Sequence, residues 1–435
     1  MKSITPCRAP GTRLFQGFVV LLPALHAFAP SPWLPIPLAY MMVAAVALMV
    51  FAPSLGLAFV LPADIPLFVC IALGILAMVL NAPFVGPKNV TTTAAWLVTV
   101  VFFFLFVRNW LLASLISMED VSKAAAIACV GLSLYIIAEF VAENAFHVDV
   151  ASHVFPNLGD LKPIDVIPGW RRPRGLAAEP GFSAMVIEGL LPVAWIRYGR
   201  GFRSGAFLLV TVLPGFMLLA SVGSLVSVAL ALSVIVVARA GTLRAWALVA
   251  LAWLAVLLAA LQTDAGKVLF DEVVLRKLAE LVHGGAVESG GSASRFQAYH
   301  AGFQILLHRP LGIGWGMVSE MYAEAVTLPG LPFVRTRGLL SLYLETAVSS
   351  GWIGLVALLL FLGTRVSQIL AIKGRDATCI LAALLTLLFH HAVVLEFWFP
   401  MLWLVLSLSD CMTHRAAVKF AAKPSMQWQR GQDVR

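Results

Sequence analysis

Three arginines stand within four residues at Arg171, Arg172 and Arg174, in the stretch Pro168-Gly169-Trp170-Arg171-Arg172-Pro173-Arg174 that leads into an apolar run opening at Phe182. A guanidinium is planar, permanently charged and forked, which suits two-pronged contact with phosphate oxygens. Such a cluster either binds an anion or anchors the chain on lipid headgroups. Glu179 follows five residues after Arg174, where the next helix should begin. Its carboxylate either stabilises that helix terminus, or pairs with Arg174, or acts as a general base.

A second group of reactive residue types lies more than a hundred positions later. Ser294-Arg295-Phe296-Gln297 has the serine-to-glutamine spacing of a capping box, so a helix is expected to start there and run through Tyr299, His300, Phe303 and Leu307. It should stop at His308-Arg309-Pro310, because proline cannot continue it. Arg295 at a helix start opposes the macrodipole, which argues for an anionic partner. His300, Gln304 and His308 fall on one helix face. Histidines eight apart do not make a metal site without a third ligand, so His300 is either an interfacial group or a substrate contact. Gly312, Gly314 and Gly316 permit a tight turn whose open amides would suit a phosphate beside Arg309. The turn follows a helix and not a strand, which rejects a dinucleotide fingerprint. Arg335 and Arg337 precede a later apolar run, and His390-His391 with Glu396 lie at the end of another.

The elements that position these residues are membrane spans. Of 435 residues, 60% are hydrophobic and 12% charged, and the mean hydropathy is +0.92. Soluble domains carry roughly 25% charged residues, so a water-soluble enzyme is excluded. So is a disordered chain. The apolar runs do not alternate as barrel strands do. The expected fold is all-α and polytopic, with about 12 transmembrane helices near 14–29, 33–52, 60–80, 94–113, 121–142, 182–198, 204–220, 222–238, 243–262, 339–363, 377–395 and 397–413. Helices 1–5 would fill residues 1–142, a first periplasmic loop 143–181, and helices 6–9 residues 182–262. A large periplasmic loop would occupy 263–338, helices 10–12 residues 339–413, and a tail 414–435. Both loops are expected to contain short helices; residues 265–283 carry an amphipathic pattern, and Gly284-Gly285 with Ser289–Ser292 reads as a flexible joint.

Most of the 30 Lys and Arg fall in alternate short connections and in the tail, while the short connections on the other side hold only Lys88. That asymmetry places both termini in the cytoplasm and accounts for the +8 net charge without nucleic acid. The first span has a signal-like Ala27-Phe28-Ala29, but Pro30 argues for an uncleaved helix. Cys7, Cys70, Cys129, Cys379 and Cys411 are scattered and read as small buried hydrophobes. No metal site and no cofactor are expected.

Three stretches resemble the O-antigen polymerase and O-antigen ligase superfamily. They are Arg174-Gly175-Leu176 through Glu179-Pro180-Gly181-Phe182, Arg295-x-x-x-Tyr299 leading to Arg309-Pro310-Leu311-Gly312-Ile313-Gly314-Trp315-Gly316, and Tyr343-Leu344 through Gly351-Trp352-Ile353-Gly354-Leu355. The resemblance implies a glycosyltransferase at the outer face of the bacterial inner membrane. Its donor would be a polyprenyl-diphosphate-linked glycan and its acceptor a glycan or a lipid, with membrane lipids and a chain-length regulator as further partners. It implies metal-independent transfer with loop arginines on the donor diphosphate. The residue types themselves assign Arg174 and Arg295 to the departing diphosphate, assisted by Arg171, Arg172 or Arg309, and Glu179 or His300 to the acceptor proton. Ligases of this group show a His-Asn pair where this chain has Leu340-Ser341, which favours a polymerase of O-antigen, capsule or exopolysaccharide over a ligase. Two other classes compete: a lipid-linked oligosaccharide flippase, which the nearly charge-free mid-spans and the lack of an internal repeat disfavour, and a non-enzymatic assembly partner.

Overall fold

The computed structural model describes residues 10–24, 60–81, 86–112, 116–155, 165–167, 170–219, 221–240, 290–318, 341–394 and 399–421, with a few isolated positions between them. The architecture is all-α and polytopic. The helices are α1 (Pro10–Leu21), α2 (Ile65–Leu80) behind a 3-10 turn at Pro62–Asp64, α3 (Pro87–Leu97), a π-helical stretch Val98–Phe106 and α4 (Val107–Leu112). They continue with α5 (Met118–Ala145), α6 (Val150–Val154), α7 (Pro180–Tyr198), α8 (Phe202–Leu218), α9 (Val222–Ala240), α10 (Gly290–His308), α11 (Leu342–Ala371), α12 (Arg375–His390) and α13 (Pro400–Ala421). A small antiparallel pair, β1 (Asp165–Ile167) and β2 (Trp170–Arg171), carries the first arginines. Among the described residues, four helical segments are long and apolar enough to cross a membrane: Pro62–Leu80, Met118–Ala145, Gly223–Ala240 and Leu342–Ala371. The expected spans at 33–52 and 243–262 lie almost wholly outside the described residues. So do the amphipathic stretch 265–283, Arg335, Arg337 and Glu396.

Helices in lipid gain little from apolar burial, so small residues and hydroxyl groups hold them together. A Cβ on Gly215 would stand 2.1 Å from Ser133 Oγ. That close approach lets Ser133 donate to the carbonyls of Thr211 and Val212 at 2.9 and 3.0 Å. Gly189 seats Met401 in the same way. On α1, Phe15, Phe18 and Val19 are fully buried, with Phe15 edge-on to Trp110 at 5.3 Å. Beyond it, Ala27 donates its N–H to Leu176 O, which ties the first apolar run into the fold. Cys70, Cys129, Cys379 and Cys411 are buried and unbridged.

The helices define two ends. Helix α9 runs from Gly223, which faces His390, to Arg239, which donates to Leu370 O near the end of α11. At the Arg239 end gather Arg197 paired with Glu119, Arg375 on Ile196 O and Arg415 on Ile116 O. The same end holds a four-charge cluster of Asp64, Arg108, Arg365 and Asp410. Arg108 and Arg365 do not lie in solvated connections. Both are fully buried, because each finds carboxylates from two other elements. Glu139, Glu143 and Glu188 are also buried within helices.

Helix α11 is broken in its interior. Gly351 has φ +72° and ψ 180°, outside helical space. A break at membrane depth strands backbone groups that lipid cannot satisfy. The 310–314 segment supplies the replacements. Trp352 N–H, which would have bonded Val348 O, donates instead to Pro310 O at 3.2 Å. Val348 O and Ser349 O accept from Ile313 and Gly314, each at 2.9 Å. Two of the recognised sequence stretches thus meet backbone to backbone. A Cβ on Gly314 would sit 2.6 Å from Met78 Cα, and one on Gly74 2.0 Å from Trp315 Nε1, so the segment is wedged between α2 and α11.

Candidate functional site

The arginine-bearing loop is fixed by α5. Glu139 accepts the N–H groups of Arg174 at 2.9 Å and Gly175 at 2.7 Å. Two successive amides on one carboxylate form a backbone anion cradle. Gly175 enters the left-handed region, φ +72°, and a Cβ there would lie 2.5 Å from Ser183 Oγ. Ser183 in turn donates to Arg174 O at 2.6 Å. Asn144 holds Arg171 by both main-chain groups, accepting its N–H at 2.7 Å and donating to its carbonyl at 3.0 Å. The turn is therefore rigid although it belongs to a loop.

The side chains of this loop differ in what they are free to do. Arg174 is 6% exposed and donates through Nη1 to Ala178 O at 2.7 Å. Arg172 is half-buried and donates through Nε to Leu219 O. Burial pulls the Arg172 pKa below the ordinary arginine value, and the negative charge of Glu179 opposes that shift. Arg171 is half-buried. Glu179 occupies the N-cap of α7 and is exposed, yet its side chain makes no capping bond. Its carboxylate is thus presented to the outside.

The second group is carried by α10. That helix begins at Gly290 and not at Ser294, because two glycines lower helix propensity without forbidding it. It ends at His308 ahead of Pro310, as the proline requires. Arg295 lies on this helix one turn before Tyr299, and its side chain is outside the described residues. His300 is half-buried. His308 is exposed and bonds back to Gln304 O at 2.8 Å. Arg309 is exposed, its N–H closing the helix on Ile305 O. Through Gly314 the glycine turn does not offer open amides. The N–H groups of Gly312, Ile313 and Gly314 all bond carbonyls, those of Arg309, Val348 and Ser349. Repairing the α11 break consumes the donors that a phosphate would need.

Both groups converge on the segment after α12. Tyr299 OH reaches Ala392 O at 3.5 Å. His391 O accepts from Leu342 N–H at 3.0 Å, and its ring stands edge-on to Phe399, centroids 6.2 Å apart. Phe399 packs on Phe182 at 6.3 Å, directly after Glu179 and Pro180. Tyr343 OH donates to Leu388 O at 2.8 Å. Ser341 serves as N-cap of α11, accepting from Leu344 N–H.

Sequence reasoning passed over Glu188. It lies in the middle of α7, 4% exposed, with Oε2 2.8 Å from His390 Nδ1. The signal was present, because an ionisable residue inside an apolar run is costly and usually has a use. A hydropathy window averages it away.

No curated protein matches the chain. Residues 207–359, which take in most of α8, α9, α10 and the Gly351 break of α11, match the family model described as O-antigen ligase, a match that supports the O-antigen polymerase and ligase superfamily.

Proposed function

We propose that this protein is an envelope polysaccharide polymerase that transfers polyprenyl-diphosphate-linked glycan repeat units at the periplasmic face of the bacterial inner membrane. The observation that supports the reading is that Phe182, at the end of the arginine loop, and Tyr299 of α10 both reach the residues around His391. A lipid-linked diphosphate donor has an apolar tail, two phosphates and a sugar. It requires guanidinium groups at headgroup depth beside an apolar helix surface. In this reading the end bearing Arg197, Arg375 and Arg415 faces the cytoplasm, following the positive-inside rule. Arg174 and Arg295, assisted by Arg171, Arg172 and Arg309, neutralise the diphosphate as it departs, the kind of charge stabilisation that dominates such reactions. Glu179 or His300 takes the acceptor proton. Leu340-Ser341 at the position where ligases carry His-Asn favours polymerase over ligase.

The test uses purified full-length protein in liposomes with a polyprenyl-diphosphate-linked oligosaccharide. Formation of longer lipid-linked glycan supports the polymerase. Product on an added lipid A core acceptor, without chain growth, makes it a ligase. Movement of the oligosaccharide across the bilayer without any new glycosidic bond makes it a flippase. In cells, Arg174→Ala and Arg295→Ala should each shorten the surface glycan; full chain length in both removes the arginines from the mechanism.

A further inference from the structure

The last turns of α5 bring a second carboxylate to the arginine loop. Glu139, whose oxygens take the Arg174 and Gly175 amides, is followed one turn later by Glu143. Residues four apart share one helix face, so Glu143 looks onto the same loop. Asn144 beside it holds both main-chain groups of Arg171, which brings Arg171 to this turn. Glu143 is 7% exposed. It stands in the electrostatic field of Arg171 and Arg174, with Asp149 opposing them. Among the described residues no hydrogen bond fastens its carboxylate. Arg171 is half-buried, and its side chain likewise makes no hydrogen bond among the described residues.

Helix energetics and packing do not account for an acid at this position. A carboxylate in the last turn of a helix faces the negative end of the macrodipole. A nearly buried one without hydrogen bonds incurs a desolvation cost that only opposite charge offsets. The other carboxylates around the loop are placed differently. Glu139 is held by loop amides, while Glu179 and Asp149 are exposed and screened by water. Of the carboxylates facing Arg171 and Arg174, Glu143 is the one that is both buried and unbonded among the described residues.

We infer that Glu143 is the counter-ion of the arginine loop, a positioning residue that holds Arg171 and Arg174 until the donor diphosphate displaces it; this rests on the diphosphate-donor reading above. Neighbouring guanidinium groups repel one another, and a fixed negative charge keeps them in place before the donor binds. The arriving diphosphate carries more charge than one carboxylate, and its oxygens fit the guanidinium forks, so it wins the exchange. Glu143 stays beside the site and repels the bound anion. That repulsion weakens donor binding, and it loosens in the same measure the polyprenyl diphosphate that transfer leaves behind. The residue thus sets how tightly the loop can hold a diphosphate at all.

The experiment measures equilibrium binding of radiolabelled polyprenyl diphosphate to the full-length protein in phosphatidylcholine nanodiscs. Low ionic strength keeps the repulsion unscreened. Glu143→Gln, which keeps the shape and removes the charge, should bind the probe about 10-fold more tightly than the parent. Glu143→Ala should show a gain of the same sign, and Glu143→Asp, which keeps the charge, should stay within about threefold of the parent. The gain should shrink in high salt. A merely structural acid gives the opposite sign, since a distorted loop binds an anion less well. If neither the parent nor the uncharged variants bind the probe, the diphosphate reading of the loop fails and this inference with it. If the parent binds and the uncharged variants bind equally or more weakly, the inference alone fails. It also fails if neither uncharged variant folds, since Glu143 is then structural.

Discussion

The two ends of the helix bundle bury charge in opposite ways. At one end Asp64, Arg108, Arg365 and Asp410 form a closed set: two carboxylates and two guanidinium groups, none more than 5% exposed. Asp64 bonds both arginines, and Asp410 reaches Arg108 at 3.2 Å and Arg365 at 3.3 Å. The arginines also lie over aromatic rings, Arg365 at 3.8 Å from the Phe361 centroid and Arg108 at 4.9 Å from that of Phe104. At the other end Glu139 spends its carboxylate on two loop amides, and Glu188 Oε1 has no hydrogen-bond partner among the described residues. The first arrangement is neutral and enclosed and joins four elements. The second is directional, one carboxylate accepting from loop amides and the other meeting an imidazole. Charge that is fully matched holds helices together; charge that is only partly matched keeps capacity for something else.

That contrast can be broken most forcefully at Asp64. Asp64→Ala leaves two buried guanidinium groups facing one carboxylate and should cost about 3–5 kcal/mol, read as lost folded yield and a lower thermal midpoint in detergent. If the variant stays folded but stops making glycan, the two ends have been assigned the wrong roles. Gly351→Ala comes next. Its Cβ would lie 2.5 Å from Pro310 O at a positive φ, so a destabilisation of at least about 2 kcal/mol is expected from backbone strain and the clash, in the same melting assay. Glu139→Gln should cost about 1–3 kcal/mol, because the amide nitrogen cannot accept from the Arg174 or Gly175 N–H. Faster amide exchange at 174–175 checks it. Arg309→Ala sharpens the comparison from the far side. The Arg309 side chain is exposed and makes no hydrogen bond among the described residues, so the change should shift stability by less than about 0.5 kcal/mol and still shorten the glycan made in cells.

Hydropathy is legible because it is a sum over many residues. The apolar runs near 121–142 and 182–198 become α5 and α7, and Pro310 ends α10 where its ring forbids continuation. Pairings are not legible in that way. Arg365 stands 301 positions from Asp64, and nothing in either neighbourhood announces the other. Counting Lys and Arg between apolar runs cannot tell a solvated arginine from a buried one such as Arg108 or Arg365. The glycine turn failed for a related reason. Its residue types permit exposed amides, but whether a donor is spent depends on a helix break forty positions downstream, which a glycine at 351 hints at only when its φ is known. At the loop end, Glu179 and the arginines were visible as types, whereas Glu188 required knowing which helix faces His390.

The break at Gly351 also imposes an order on biogenesis. Ribosomes deliver the chain N-terminus first, so residues 310–314 exist before Trp352 emerges. Until that earlier stretch has settled against α2, the two halves of α11 have no partner for their stranded carbonyls and could satisfy them only as one straight rod. The mature kink is thus a record of which segment arrived first, and reordering the chain by circular permutation between these two stretches would deprive the late helix of its template.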